Sequence, residues 1–171
     1  MTHAFDVPKI MAHLKTDDRG YPIPYFVPIV NGKPEFRYQD IFKREACLKR
    51  KLCSICGKKL FKKSYWFISG PWGLKNKTAS DAPMHEDCAR FSIATCPHLI
   101  YQKADRRTDI PADSPLIAEK PDIIFLIKAD KYEAKKTEKH KIIFFRPVYV
   151  EDYYYAKNKL VKAKPYETIL R

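Results

Sequence analysis

At 171 residues the chain has the length of one domain, or of one domain with appendages. A hydrophobic share of 45%, with 13% aromatics, is enough for a packed core and excludes wholesale disorder, and no apolar run nears the roughly 20 residues of a membrane-spanning helix. The net charge of +13 is uneven: residues 43–77 hold eleven Lys or Arg against the single acid Glu45, residues 131–171 hold eleven against five acids, and residues 1–42 balance at five each.

In chain order, Asp6 and Pro8 open a short helix predicted over residues 6–15, with Ile10, Met11 and Leu14 on one side. Residues 21–28 carry three prolines and read as extended chain laid over the core rather than as a central strand. Asn31-Gly32 is a two-residue hairpin signal between Ile29-Val30 and Pro34-Glu35-Phe36. Residues 39–51 are helix-compatible, with Ile41, Phe42, Ala46 and Leu48 as the apolar positions. Tyr65 to Ile68 is a predicted strand, followed by a loop or return strand over 71–80. Ser80-Asp81-Ala82-Pro83 reads as the start of a helix that ends at Cys96-Pro97.

The strongest chemical signal is a pair of pairs. Cys53-Ser54-Ile55-Cys56-Gly57 and His85-Glu86-Asp87-Cys88 each place two residues between potential ligands. One short turn can then aim both side chains of a pair at one ion. Three thiolates and one imidazole are a closed, tetrahedral zinc set with no position left for water or substrate, so one structural Zn2+ is expected on Cys53, Cys56, His85 and Cys88. Gly57 sits where the turn must reverse. A knuckle, a hairpin and a helix bearing the second ligand pair is the arrangement called a treble clef. Along a helix from His85 to Cys96 the rise is roughly 16 Å, too far for one ion, so Cys96 reads as a small packed residue and His98 as a helix-end or packing histidine. Cys47 reads as a helix-face thiol. Thiols that serve a metal point to a reducing compartment, and the N-terminus lacks the build of a signal peptide, so a cytoplasmic location is expected.

Residues 101–121 read as a surface loop. Asp122 to Lys131 and Lys139 to Val148 read as two strands, with Ile123, Phe125 and Ile127 facing one way and Ile143 and Phe145 as their partners. A Tyr- and Lys-rich tail follows, with a short turn at Glu167 to Leu170. The expected architecture is α+β in a single domain. An N-terminal extended and helical segment (1–51) leads into a zinc unit (52–100), the loop (101–121), and a β-hairpin with basic tail (122–171).

The blocks that carry a family likeness are Asp18-Arg19-Gly20-Tyr21-Pro22-Ile23-Pro24, Gly32 with Pro34 and Phe36, Leu52-Cys53 to Cys56-Gly57, Phe67 to Pro71, Ala82 to His85 with Cys88-Ala89, and Cys96-Pro97-His98-Leu99. On these the chain resembles a family of small uncharacterised proteins of bacteria and their phages, from about residue 18 to residue 99. That family often has an aromatic at the position of His98 and is less lysine-rich around the knuckle. The resemblance implies a fold and a zinc site, and no reaction.

Three function classes remain. A nuclease of the HNH type, in degenerate form, would need a base and a metal-clamping group near the hairpin. Between Cys56 and His85 there is no histidine, and Asp81 is the only acid; His3, His13 and His140 are scattered. No phosphate loop or nucleophile motif appears, so no enzyme and no small-molecule substrate are expected. The leading expectation is a non-enzymatic nucleic-acid binder with weak sequence preference. Lys43, Arg44, Lys49, Arg50 and Lys51 precede the knuckle, Lys58, Lys59, Lys62 and Lys63 follow it, and Lys131 to Lys164 extend the field. Trp72 is the aromatic expected to be exposed for stacking, with Tyr65 beside it, whereas Trp66 suits the core. The competing class is an adaptor that engages a host protein complex. A membrane partner is not expected, since the basic runs lack an apolar stripe.

Overall fold

The computed structural model describes residues 5–100, 122–136, 141–156 and 159–162. It is an α+β structure built around antiparallel strands. A 3-10 turn at Lys9–Met11 comes first, then β1 (Ile29–Val30) and β2 (Lys33–Pro34), α1 (Ile41–Arg50), β3 (Tyr65–Ser69), α2 (Pro71–Asn76), β4 (Thr78–Ala79), α3 (Glu86–Thr95), α4 (Pro97–Ile100), β5 (Ile123–Lys136), β6 (Lys141–Ala156) and β7 (Lys159–Lys162).

The Asn31-Gly32 hairpin forms as expected. Both residues take positive φ, 50° and 77°, which turns β1 straight back into β2. Asp40 caps α1 by accepting from the N–H groups of Phe42 and Lys43. The apolar positions assigned to this helix need correction. Ile41 and Phe42 are exposed, at 65% and 83%, and Cys47 and Leu48 are the residues it buries. The cap places the first helical turn at the surface, so its side chains never reach the core.

The larger sheet runs in the order β3-β5-β6-β4, and β7 pairs with the far end of β6. The two long strands thus lie between β3 and β4. They extend well past the expected ends, into the Tyr-rich segment on one side and the lysine-rich turn on the other. Their register shifts around Ala129, which faces Pro147. Proline has no N–H for the ladder, so the chain bulges there. Ile124 and Leu126 are buried on one face, and Ile127 and Ala129 on the other. The expected inward set of Ile123, Phe125 and Ile127 is therefore wrong in two of three members, which are only half-buried. Ile143 and Phe145 are not the partners of that set: the register pairs them with Ala134 and Tyr132, while Ile123, Phe125 and Ile127 face Tyr154, Asp152 and Val150, because the strands run on past their expected ends. Both are buried, and Phe145 stacks on Phe67 with centroids 4.9 Å apart.

Three further expectations are corrected. Residues 6–15 form only the 3-10 turn, because the chain leaves at once for a bridge between Thr16 and Pro22. Residues 71–80 hold a short helix and a two-residue strand that pairs with β6, not with β3. The third helix starts at Glu86, not near Ser80. The strand at Tyr65 was correctly placed, with its main partner β5 about sixty residues away in the chain. The expected loop over 101–121, the turn at 167–170, and His3 and His140 lie outside the described residues.

Candidate metal centre

Helix α1 stops at Lys51, whose left-handed φ of 53° turns the chain directly into the first ligand pair. Leu52 and Lys59 bridge across the turn. Inside it, the N–H of Cys53 donates to the Lys58 carbonyl and the N–H of Gly57 to the Cys53 carbonyl, each at 2.8 Å. Gly57 has φ of +72°, and a Cβ there would lie 2.9 Å from the Tyr25 ring. Both the backbone and the close approach require glycine.

The second pair is delivered by β3. Trp66 and Met84 exchange both backbone hydrogen bonds at 3.0 Å. This holds residues 82–85 extended, which is why the helix cannot begin at Ser80. His85 becomes the N-cap residue of α3, and Cys88 lies in its first turn. The helix dipole there favours a thiolate.

The ligand atoms of Cys53, Cys56, His85 and Cys88 all lie within 4.8 Å of one another, and all four residues are buried. With metal–sulfur bonds near 2.3 Å, the edge of a tetrahedral site is about 3.8 Å. The cluster fits a tetrahedral ion. Cys56 Sγ is 3.3 Å from His85 Nδ1. The other ring nitrogen, Nε2, is 2.9 Å from the Lys59 carbonyl, to which it can donate, so Nδ1 is the nitrogen turned to the cluster. Backbone N–H groups of Cys56 and His85 point at Cys53 Sγ, at 3.5 and 3.4 Å.

Thiols this close do not ionise independently. Hydrogen bonds from Cys53 and Cys88 hold Cys56 well below the usual thiol range. Contacts with Cys53 and Cys56, helped by burial, push Cys88 well above it. A dication removes this conflict, because its charge lets every sulfur be a thiolate at once.

Several supports of the knuckle carry no sequence signal. His13 Nε2 is 2.9 Å from the Cys56 carbonyl. Tyr25 and Phe26 donate their N–H groups to the carbonyls of Ile55 and Ser54, at 2.7 and 3.1 Å. The proline-rich segment is thus a strap across the knuckle, consistent with extended chain over the core. Ser54 joins the two ligand pairs, its hydroxyl donating to the Ala82 carbonyl and its N–H to that of Pro83.

All five cysteines are free of disulfides. Cys47 is fully buried, and burial, with the nearby Cys53 and Cys56, pushes its thiol up to about 12. Cys96 is the C-cap of α3 and stands outside the four-residue cluster.

The basic residues divide into two groups. Lys43 Nζ donates to the Val27 carbonyl at 3.1 Å, Arg44 to the Ser80 carbonyl, and Lys59 Nζ to the Arg50 carbonyl at 2.7 Å. Lys51 lies over the rings of Tyr65 and Tyr132. Lys49, Arg50, Lys58, Lys62 and Lys63 are exposed and form no ion pair among the described residues. Trp72 is 71% exposed on α2, on a different element from the basic residues of 43–63. Tyr65 and Trp66 are buried at 8% and 2%, so Tyr65 is unavailable for stacking. In the proposed extension, Lys162 is drawn to Glu151 at 3.0 Å and Lys135 to Glu133 at 3.6 Å.

Among the described residues no helix is long and apolar enough to cross a membrane. Compared with protein-family models, with curated proteins and with solved structures, the chain finds no match in any of the three.

Proposed function

We propose that this is a zinc-stabilised, non-enzymatic nucleic-acid-binding protein of bacterial or phage origin, working in the cytoplasm with weak sequence preference. Three sulfurs and one imidazole nitrogen suit Zn2+ better than other divalent ions. Cys53, Cys56, His85 and Cys88 would hold it, and its contribution would be to fix the fold. The knuckle at 52–59, the Trp66–Met84 pairing and helix α3 support a treble-clef reading, with the hairpin reduced to one bridge and residues 70–81 inserted in it.

The observation that carries the nucleic-acid reading is the exposed set Lys49, Arg50, Lys58, Lys62 and Lys63, displayed on both sides of a rigid knuckle. Side chains rooted in a stiff turn lose less entropy when they meet phosphates, and a concentrated positive field draws polyanions. The test is binding to single- and double-stranded oligonucleotides across a salt series. Affinity should fall steeply with salt for many sequences. Binding that is absent at low ionic strength would overturn this reading.

A second reading, a protein adaptor, is favoured by one observation. Ile29, Val30, Ile41 and Phe42 are apolar and more than half exposed. Co-purification with a single protein, unchanged by nuclease treatment, would support it.

A further inference from the structure

The segment that closes the knuckle carries an exposed aromatic residue that is not a metal ligand. Leu60 is buried, and its N–H donates to the Lys51 carbonyl at 2.8 Å. Side chains alternate along an extended segment, so Lys59 and Phe61, on either side of Leu60, are both exposed. Phe61 is 63% exposed. It rests on the ring of His85, with centroids 5.0 Å apart and planes tilted by 56°. His85 is itself fixed, by its place in the cluster and by Nε2 against the Lys59 carbonyl at 2.9 Å. The Phe61 ring is thus seated on a buried, doubly held imidazole while the greater part of the residue meets water.

A single exposed hydrophobic side chain is ordinary. Its company distinguishes Phe61. The Ser64 N–H donates to the Phe61 carbonyl at 3.3 Å, which closes a tight turn with Lys62 and Lys63 at its tip. Lys63 takes a left-handed φ of 58° there. Lys58 stands on the other side of the ring in the chain. These three lysines are exposed and form no ion pair among the described residues. Other exposed aromatics differ. Phe42 is 83% exposed, but Lys43 and Arg44 beside it are bonded to the carbonyls of Val27 and Ser80. Phe144 has Lys135 over its ring.

We infer that Phe61 is a stacking platform for one base of a single-stranded nucleic acid, with Lys58, Lys62 and Lys63 on the flanking phosphates. Every base offers a flat π-face, so an aromatic ring held in place stacks on it whatever its identity. The phosphates on either side of that base supply the negative charge that the three lysines lack. A duplex keeps its bases stacked on one another, so only a single strand can use the ring. A protein partner fits less well, since lysine is depleted in protein interfaces and here three lysines flank one ring. The inference rests on the nucleic-acid reading and deepens it, by naming the form of the strand and the residue that recognises it. Stacking is tolerant of base identity, in keeping with weak sequence preference.

The test uses the full zinc-loaded chain with single-stranded oligothymidine, the same strand paired with oligoadenosine, and an abasic strand of equal length, each across a salt series. Phe61→Leu keeps an apolar contact for His85 and removes the ring. It should weaken oligothymidine binding by roughly five- to a hundredfold, the effect of losing one stacked base. The slope against salt should not change, because the lysines remain. Duplex affinity should not change either, and Phe61→Trp should keep or strengthen single-strand binding. The unaltered chain should bind the abasic strand more weakly than oligothymidine by at least the same factor, a comparison that holds even if a variant folds poorly. Equal, salt-sensitive affinity of wild type and Phe61→Leu for oligothymidine overturns the stacking role and leaves the nucleic-acid reading standing. An equal loss on single strand and duplex overturns it as well, since a stacked base cannot account for the duplex. No salt-sensitive binding to any strand overturns both.

Discussion

Arg90, half a turn past the ligand Cys88 on α3, grips the buried carboxylate of Glu151 on β6 with both terminal nitrogens, at 2.8 and 2.9 Å. The hydroxyls of Tyr149 and Tyr153 donate to the same carboxylate, and Lys162 of β7 approaches it at 3.0 Å. Glu151 is 1% exposed. This contact latches the helix of the metal cluster to the long C-terminal strands.

Removing Arg90 leaves a buried carboxylate short of its main partner. Breaking such a pair costs roughly 3–5 kcal/mol, and Lys162 with the two tyrosines should keep Arg90→Met near the low end. Denaturant unfolding of the zinc-loaded chain measures it. Arg90 holds Glu151 well below the usual carboxylate range, against the effect of burial. The folded carboxyl is therefore more acidic than the unfolded one, and its stabilisation is present above the ordinary value of 4.5 and is lost as pH falls towards the folded value. The stability gap between wild type and Glu151→Gln should be widest at neutral pH and narrow steadily below about pH 4.5. A gap that widens on acidification would contradict the latch.

Metal content provides the second prediction. Purified protein should hold one zinc per chain, and Cys53→Ser or Cys88→Ser should lose it and unfold residues 52–95. The binding energy of such sites is folding energy, on the order of 10 kcal/mol in small zinc peptides. Cys96→Ala should keep full occupancy. Cys47→Ala should also keep it, with a packing loss of about 1–2 kcal/mol from the space left at a fully buried position. Loss of zinc in either variant would show a different ligand set.

Two glycines with the same backbone requirement differ in their surroundings. Gly32 and Gly57 have φ of +77° and +72°, but only Gly57 has a ring at 2.9 Å from the added carbon. Gly32→Ala should cost about 1–2 kcal/mol, the left-handed penalty alone. Gly57→Ala should cost more, by about 1–3 kcal/mol of overpacking against Tyr25, and Tyr25→Ala should relieve part of that increment. Equal melting shifts for the two glycine variants would show that the Tyr25 contact is soft.

The exposed lysines make the fourth prediction. Each phosphate contact contributes roughly 0.9 to the slope of log affinity against log salt on duplex DNA, and about 0.7 on single strands. Replacing Lys49, Lys58, Lys62 and Lys63 together by glutamate should weaken binding and flatten that slope, with zinc content unchanged. A slope that stays as steep would place the contacts elsewhere. Lys51 lies over two tyrosine rings and Lys59 is held by the Arg50 carbonyl. Their substitution should affect stability as well as binding.

The ligand set, the hairpin at Asn31-Gly32 and the strand at Tyr65 were legible from the residues alone, because each depends on local chemistry. Two residues between ligands suit a turn, Asn-Gly suits two positive φ angles, and a run of aromatic and β-branched residues suits a pleat. Helix α3 was misplaced because Ser80 and Pro83 carry ordinary helix-start signals, while the Trp66–Met84 pairing, eighteen positions apart, holds that stretch extended. The inward set of β5 was misjudged because apolar residues on both faces of the strand leave open which of them the fold covers, and that is decided by segments remote in the chain. His13 on Cys56, Gln39 on Asp81 and Arg90 on Glu151 join residues 43, 42 and 61 positions apart. No periodicity or spacing marks such pairs, since they exist only once the backbone has brought distant segments within hydrogen-bond reach. The sequence by itself therefore determined the candidate metal centre and where the positive charge lies along the chain. Tertiary structure alone decided which lysines stay exposed and which carboxylates are buried, since both depend on segments that meet only in the fold.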